Sequence, residues 1–142
     1  MIDTTINAQS NNLVGGSPDS TGLQITPGDH LHITVPVNEL WRNSPTATAT
    51  NAGGMGNPYG TALFLTDLIS GQTFRYGSLV GRIGTGAYFY VGTLFDAVAI
   101  DSGVLKLLYW DNTMNDNSGS VTATVTLTPM NQCLQGMMVF TI

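Results

Sequence analysis

At 142 residues the chain is long enough to bury one core without disulfide or metal staples, and nothing in it suggests a second domain. It carries 4 Lys plus Arg against 9 Asp plus Glu, a formal net charge of −5, with Arg42, Arg75, Arg82 and Lys106 scattered; no basic cluster exists to neutralise phosphates, which argues against nucleic acid as a partner. The single cysteine, Cys133, excludes an internal disulfide and a cysteine-based metal knuckle, and reads as a small buried hydrophobe.

The opening stretch "MIDTTINAQSNNLVGGSPDS" has neither a basic n-region nor an apolar core, so no Sec signal peptide is expected, and no apolar run is long enough to span a bilayer. The expected origin is a cytoplasm, with action after release, on a surface or within a virion. Residues 1–20 read as a polar N-terminal arm, partly disordered or lying on a neighbour, ahead of a domain over 21–142.

Beyond the arm, alternation of apolar and polar residues recurs while helical periodicity does not. In "HLHITVPV" (30–37) Leu31, Ile33 and Val35 share one face and His30, His32 and Thr34 the other, which predicts a half-buried strand. Strands are likewise expected in "TALFLTDL" (61–68), "TFRYGSLVGRI" (73–83), "AYFYVG" (87–92), "LFDAVAI" (94–100), "VLKLLYW" (104–110) and "SVTATVTLT" (120–128). "TPGD" (26–29), "ISGQ" (69–72), "IGTG" (83–86) and "DSG" (101–103) supply turn chemistry between them. Seven or more short strands without intervening helices predict an all-β protein, a small antiparallel jelly-roll β-sandwich. Its core should include Leu31, Ile33, Val35, Leu105, Leu107, Val121, Ala123 and Val125.

Three irregular or terminal segments stand out. "NSPTATATNAGGMGNPYG" (43–60) reads as a mobile loop or as half of a site. The end "TPMNQCLQGMMVFTI" finishes in apolar residues, which suits a last strand completing a sheet or a strand added to another subunit; either way residues 136–142 should be protected. The third is "YWDNTMNDNSGS" (109–120), where Asp111 and Asp116 stand among Asn112, Asn115 and Asn117 with no Lys or Arg to pair them. Hard oxygen donors without a cationic side chain suit calcium, while the same residues also suit an Asx-rich turn capping backbone amides.

An EF-hand is excluded, because counting from Asp111 puts Asp116 where the loop glycine should stand and Thr122 where the bidentate Glu should. His30 and His32 share a strand face but have no third ligand in sequence, and read as surface residues. Neither a G-x-S-x-G elbow nor a glycine-rich phosphate loop with Lys is present, and no nucleophile stands beside a base, so an enzyme is not expected.

"GSLVGRIGTGAYFYVG" (77–92), "DSGVLKLLYWDN" (101–112) and "DNSGSVTATV" (116–125), with "TPGDHLHITV" (26–35) followed by Trp41, resemble the PA-IL-like, or LecA-like, galactophilic lectin family over about residues 22–127. The resemblance implies a small jelly-roll sandwich that binds calcium before its last core strand, the ion also ligating sugar hydroxyls, commonly of galactose. Carried over, it makes Asp111, Asp116 and Asn117 the side-chain ligands and Thr113 a carbonyl ligand. A further carbonyl is expected after Trp41, with Ser44 or Tyr59 the candidates, and Tyr59, Tyr109 or Trp110 would stack on the sugar; for Trp110, packing within its strand is the competing reading. The chain departs from the family in a shorter loop between Asp111 and Asp116, in Trp110 where Asn is usual, and in lacking sugar-holding His and Gln in 43–60. The expected function is calcium-dependent carbohydrate binding, in a homo-oligomer or larger assembly. The alternative is a structural virion component, a decoration or tail-associated adhesion protein using the same sandwich for assembly.

Overall fold

Each run of alternating residues gives its strand one apolar side, and two sheets bury those sides against each other. The computed structural model of the protein describes residues 1–14, 16–113 and 115–130. One sheet contains β1 (Ile2–Asn7), β11 (Ser118–Thr128), β3 (His30–Thr34) and β9 (Leu94–Val98) in that spatial order, with the short β4 (Trp41–Arg42) also paired to β11. The other runs β2 (Asp19–Ile25), β10 (Gly103–Tyr109), β7 (Leu79–Ile83), β8 (Phe89–Tyr90). A separate hairpin joins β5 (Phe64–Thr66) to β6 (Thr73–Arg75), and every strand pairing is antiparallel. The protein is therefore an all-β antiparallel sandwich.

All eight side chains expected to point inward are buried. They pack with Ile6, Ile25, Trp41, Leu79, Ile83 and Tyr109 into one core between the sheets. The Trp41 and Tyr109 rings meet edge to face at 4.5 Å, a geometry worth about 1 kcal/mol beyond the area buried. A second cluster of Val80, Leu108 and Trp110 lies apart from this core, packed with Leu65 and Phe74 of the β5–β6 hairpin.

The N-terminal arm is corrected. Ile2–Asn7 pairs along β11, setting Ile2 opposite Val125 and Ile6 opposite Val121, and Ile6 is fully buried. β2 runs through residue 20, so no domain boundary falls there. The alternation of Ile2, Thr4 and Ile6 is thin because a Thr holds the middle inward position; its hydroxyl bonds Asp19 Oδ2 at 2.5 Å.

Much of the 43–60 segment is also built into the fold. Trp41 and Thr50 exchange backbone hydrogen bonds at 2.9 Å, and residues 50–54 are buried. Tyr90 donates to the Gly53 carbonyl at 2.8 Å, and the Arg75 guanidinium donates to the Met55 carbonyl at 2.9 Å. The expectations for Cys133 and for residues 136–142 lie outside the described residues.

Ile6→Ala should lower unfolding free energy by roughly 2–5 kcal/mol, read from urea denaturation. An arm lying outside the fold would tolerate the change without effect.

Candidate functional site

The inward positions of two strands continue past their ends. On β10 they are Leu105, Leu107 and Tyr109, and the next in phase is Asp111; on β11 they are Val125, Ala123 and Val121, and counting back passes Gly119 to Asn117. Strand phase thus carries a carboxylate and an amide into the end of the sandwich, where Asp111 is 1 % exposed and Asn117 is also buried. Gly119 adopts φ +88, and a Cβ there would lie 2.8 Å from Cα of Trp41, so only glycine lets β4 cross at this point.

The N-terminal segment forms one wall. Leu13 N–H donates to the Tyr109 carbonyl at 3.2 Å and Tyr109 N–H to the Asn11 carbonyl at 2.8 Å, which brings Asn12 alongside the end of β10. Asn12 Nδ2 donates to the Thr113 carbonyl at 2.9 Å. Asn117 Nδ2 donates to that carbonyl at 2.7 Å and to the Ala8 carbonyl at 3.0 Å. Because both partners of Asn117 Nδ2 are carbonyl oxygens, the amide orientation is fixed. Asn117 Oδ1 is left buried without a hydrogen-bond partner, and so is Asp111 Oδ2.

Tyr76 closes another side. Gly77 N–H donates to the Trp110 carbonyl at 2.8 Å and Trp110 N–H to the Ser78 carbonyl at 3.0 Å, stitching the turn before β7 to the residue before Asp111. The Tyr76 phenol consequently reaches the loop and donates to Asn112 Oδ1. Gly77 takes φ +73, and a Cβ there would lie 3.0 Å from the Tyr109 hydroxyl.

Burial raises the pKa of Asp111, with the Asp116 charge adding to it, while the Asn112 N–H, and the nearby Asn117 amide and Thr113 N–H, which lie short of hydrogen-bond geometry to it, pull it partly back. Asp111 Oδ1 accepts the Asn112 N–H at 2.7 Å. Burial likewise raises Tyr109 and Tyr76, with Asp111 the next cause in each. Among the described residues the one acid–base side-chain contact is His30–Asp96, so no cationic side chain compensates Asp111.

The structure therefore brings together Asp111, Thr113, Asp116 and Asn117, with qualifications. Asp116 is exposed, and its Oδ1 accepts from the Thr113 hydroxyl at 3.2 Å. The Thr113 carbonyl, expected to serve an ion, already accepts two amide N–H groups, which occupies both its lone pairs. Ser44 sits in its own turn, its carbonyl accepting Ala47 N–H at 3.2 Å, and among the described residues no hydrogen bond joins Ser44 or Tyr59 to the loop. Trp110 is fully buried, its Nε1 donating to the Leu65 carbonyl at 2.8 Å and its ring meeting Phe74 and Tyr88 edge to face. No face of that ring is free to stack on a sugar, which corrects its assignment as a ligand contact. Tyr76, Asn12 and the Ala8 carbonyl were missed, because only tertiary pairing brings their segments here; no sequence signal marks them.

Two carboxylates, one buried amide oxygen and a hydroxyl are hard donors of the type that calcium takes, and Asp111 Oδ2 and Asn117 Oδ1 are the two that the protein leaves without a partner. Among the described residues no three His, Cys, Asp or Glu side chains cluster for a metal; this donor set instead mixes carboxylate with amide oxygen. No protein-family model matches the chain, and no curated protein matches it.

An acid whose pKa rises on folding binds its proton more tightly in the folded chain. Its stabilising contribution is present at low pH and is lost as pH rises through the folded-state value. In chelator, Asp111→Asn should therefore gain on the native chain as pH rises above the ordinary 3.8. It should be the more stable by about 1 kcal/mol at neutral pH, in thermal melts across that range. An Asn variant that is less stable at every pH would mean that the carboxylate is satisfied within the ion-free fold.

Proposed function

We propose that the protein is a non-enzymatic, calcium-dependent carbohydrate-binding sandwich. The observation that carries this reading is the pair of buried, unpartnered oxygens, Asp111 Oδ2 and Asn117 Oδ1, placed by strand phase at the same end of the core. Leaving either unsatisfied costs roughly 1–3 kcal/mol, more for the charged group, and a bound cation removes that cost. Asp111, Asp116 and Asn117 would hold the ion.

Calcium held by few protein oxygens supplies open coordination positions that vicinal sugar hydroxyls fill. The resemblance of residues 77–92, 101–112 and 116–125 to PA-IL-like lectins supports the same chemistry and a galactose-type ligand. Tyr76 replaces Trp110 as the aromatic beside the ion, because it is part-exposed and carries a hydroxyl next to Asn112.

A second reading, a structural component of an assembly such as a virion, draws on Leu68 and Ile69. Both stand almost fully exposed at the tip of the β5–β6 hairpin, where a neighbouring subunit would cover them. Sedimentation with purified particles would favour this use.

At free calcium about a hundred times the dissociation constant, stability should rise by roughly 3 kcal/mol over chelator. Asp111→Asn should abolish most of that gain. A glycan array run with calcium and with chelator should show calcium-dependent spots. Identical melts in both, with no binding heat at millimolar calcium, would leave the loop as a capped Asx turn and move the structural reading to first place.

A further inference from the structure

Among the described residues four strands, β1, β9, β2 and β8, end their sheets without a further partner, and these edges are not alike. β1 exposes Asp3, Thr5 and Asn7, β2 exposes Ser20, Gly22 and Gln24, and β8 is two residues long. The edge strand β9 instead presents Leu94 at 62 % and Val98 at 60 % exposure, continued by Ile100 at 85 %. A regular edge strand with outward aliphatic side chains is the surface that proteins otherwise blunt with charge or bulges.

Its one charged residue does not blunt it. Asp96 pairs with His30 on β3, which draws the carboxylate back over the parent sheet and away from the free edge. The backbone is also poised for a partner. Ala99 N–H donates to the Asp29 carbonyl at 2.7 Å, Gly28 N–H to the Ala99 carbonyl at 2.9 Å and Val35 N–H to the Thr93 carbonyl at 3.0 Å. The odd-numbered residues therefore point their amides and carbonyls at β3, and those of Leu94, Asp96, Val98 and Ile100 point outward. Among the described residues β9 pairs with β3 alone. A cavity of about 300 Å³ lined by Phe89, Phe95, Val98 and Ile100 opens between the sheets beside this strand.

We infer that β9 is a homodimer seam, in which residues 94–100 of two copies pair antiparallel about a two-fold axis at Ala97. An isologous seam requires the edge to complement itself, and this register does so. Leu94 lies opposite Ile100 of the second copy and Asp96 opposite Val98, so each outward-pointing amide and carbonyl meets another. Shifting the axis to Asp96 would set the two carboxylates face to face, which like-charge pairing disfavours. The second copy also lies along the cavity mouth and sets each Leu94 side chain against Ile100 of the other copy on the outer face of the joined sheet. This seam is independent of whether the loop at Asp111 holds calcium.

Sedimentation of the full chain, in chelator, at concentrations up to about 100 µM tests the seam. The native chain should be a dimer. Val98→Asp should weaken dimerisation on the order of tenfold, because it creates two symmetric like-charge pairs with Asp96, while Val98→Lys should keep or tighten the dimer by creating two opposite-charge pairs. Both changes fall on an exposed side chain, and unchanged circular dichroism would confirm folding. A monomeric native chain would overturn the seam, and so would a dimer indifferent to Val98→Asp. Dissociation by Val98→Lys as well as by Val98→Asp would overturn the register centred on Ala97.

Discussion

The carboxylate of Asp111 is buried without a cation beside it, and its strand leaves it nowhere else to go. Phase along β10 is set by Leu105, Leu107 and Tyr109, whose burial holds the sandwich together; moving Asp111 to solvent would mean turning those three outward as well. The core thus imposes an electrostatic cost at one end of the molecule. Asn117 arrives there by the same rule from β11, and its amide is oriented by two carbonyls that leave its oxygen unpaired. A fold stabilised by apolar burial presents two oxygens whose needs it does not meet, the physical basis for reading the site as a cation locus.

The surroundings of that locus are rigid for reasons unrelated to any ligand. Residues 8–13 lie against the ends of β10 and β11, the turn at Gly77 is tied to Trp110, and Trp110 is locked beneath the β5–β6 hairpin. Each tie engages backbone groups, so the loop starts and ends on fixed points while Asp116 and Thr113 remain at the surface between them. A site held this way would lose little conformational freedom on taking the proposed ligand, and selectivity would fall to the groups at its rim, the half-buried Tyr76 and the exposed Asp116 among them.

The scarcity of charge has consequences elsewhere in the molecule. With few charged residues to spend on edges, the sandwich covers β1 with Asp3, Thr5 and Asn7 and β2 with Ser20 and Gln24, and leaves β9 largely aliphatic. Hydroxyl and amide side chains solvate an edge without advertising an apolar surface to another chain, whereas Leu94, Val98 and Ile100 do advertise one. The Asp96–His30 pair separates the edge from its own charge. The locus at Asp111 and the edge at β9 draw on different residues, so the proposed assembly and the proposed ligand binding need not be coupled.

Alternation of apolar residues was sufficient to establish, from the sequence alone, an all-β sandwich and its eight inward side chains, since a period of two leaves a strand one way to face a core. It also singled out Asp111, Asp116 and Asn117, because oxygen donors crowded without a cation are visible in one dimension. Ile2–Asn7 escaped notice because a Thr holds the middle inward position of a strand with only two apolar anchors. The burial of Trp110 under a hairpin some forty residues earlier in the chain, the capture of the Thr113 carbonyl by Asn12 and Asn117, and the placement of Tyr76 beside Asn112 are tertiary decisions. Each depends on which distant segments become neighbours across the sheets, and local spacing carries no record of that.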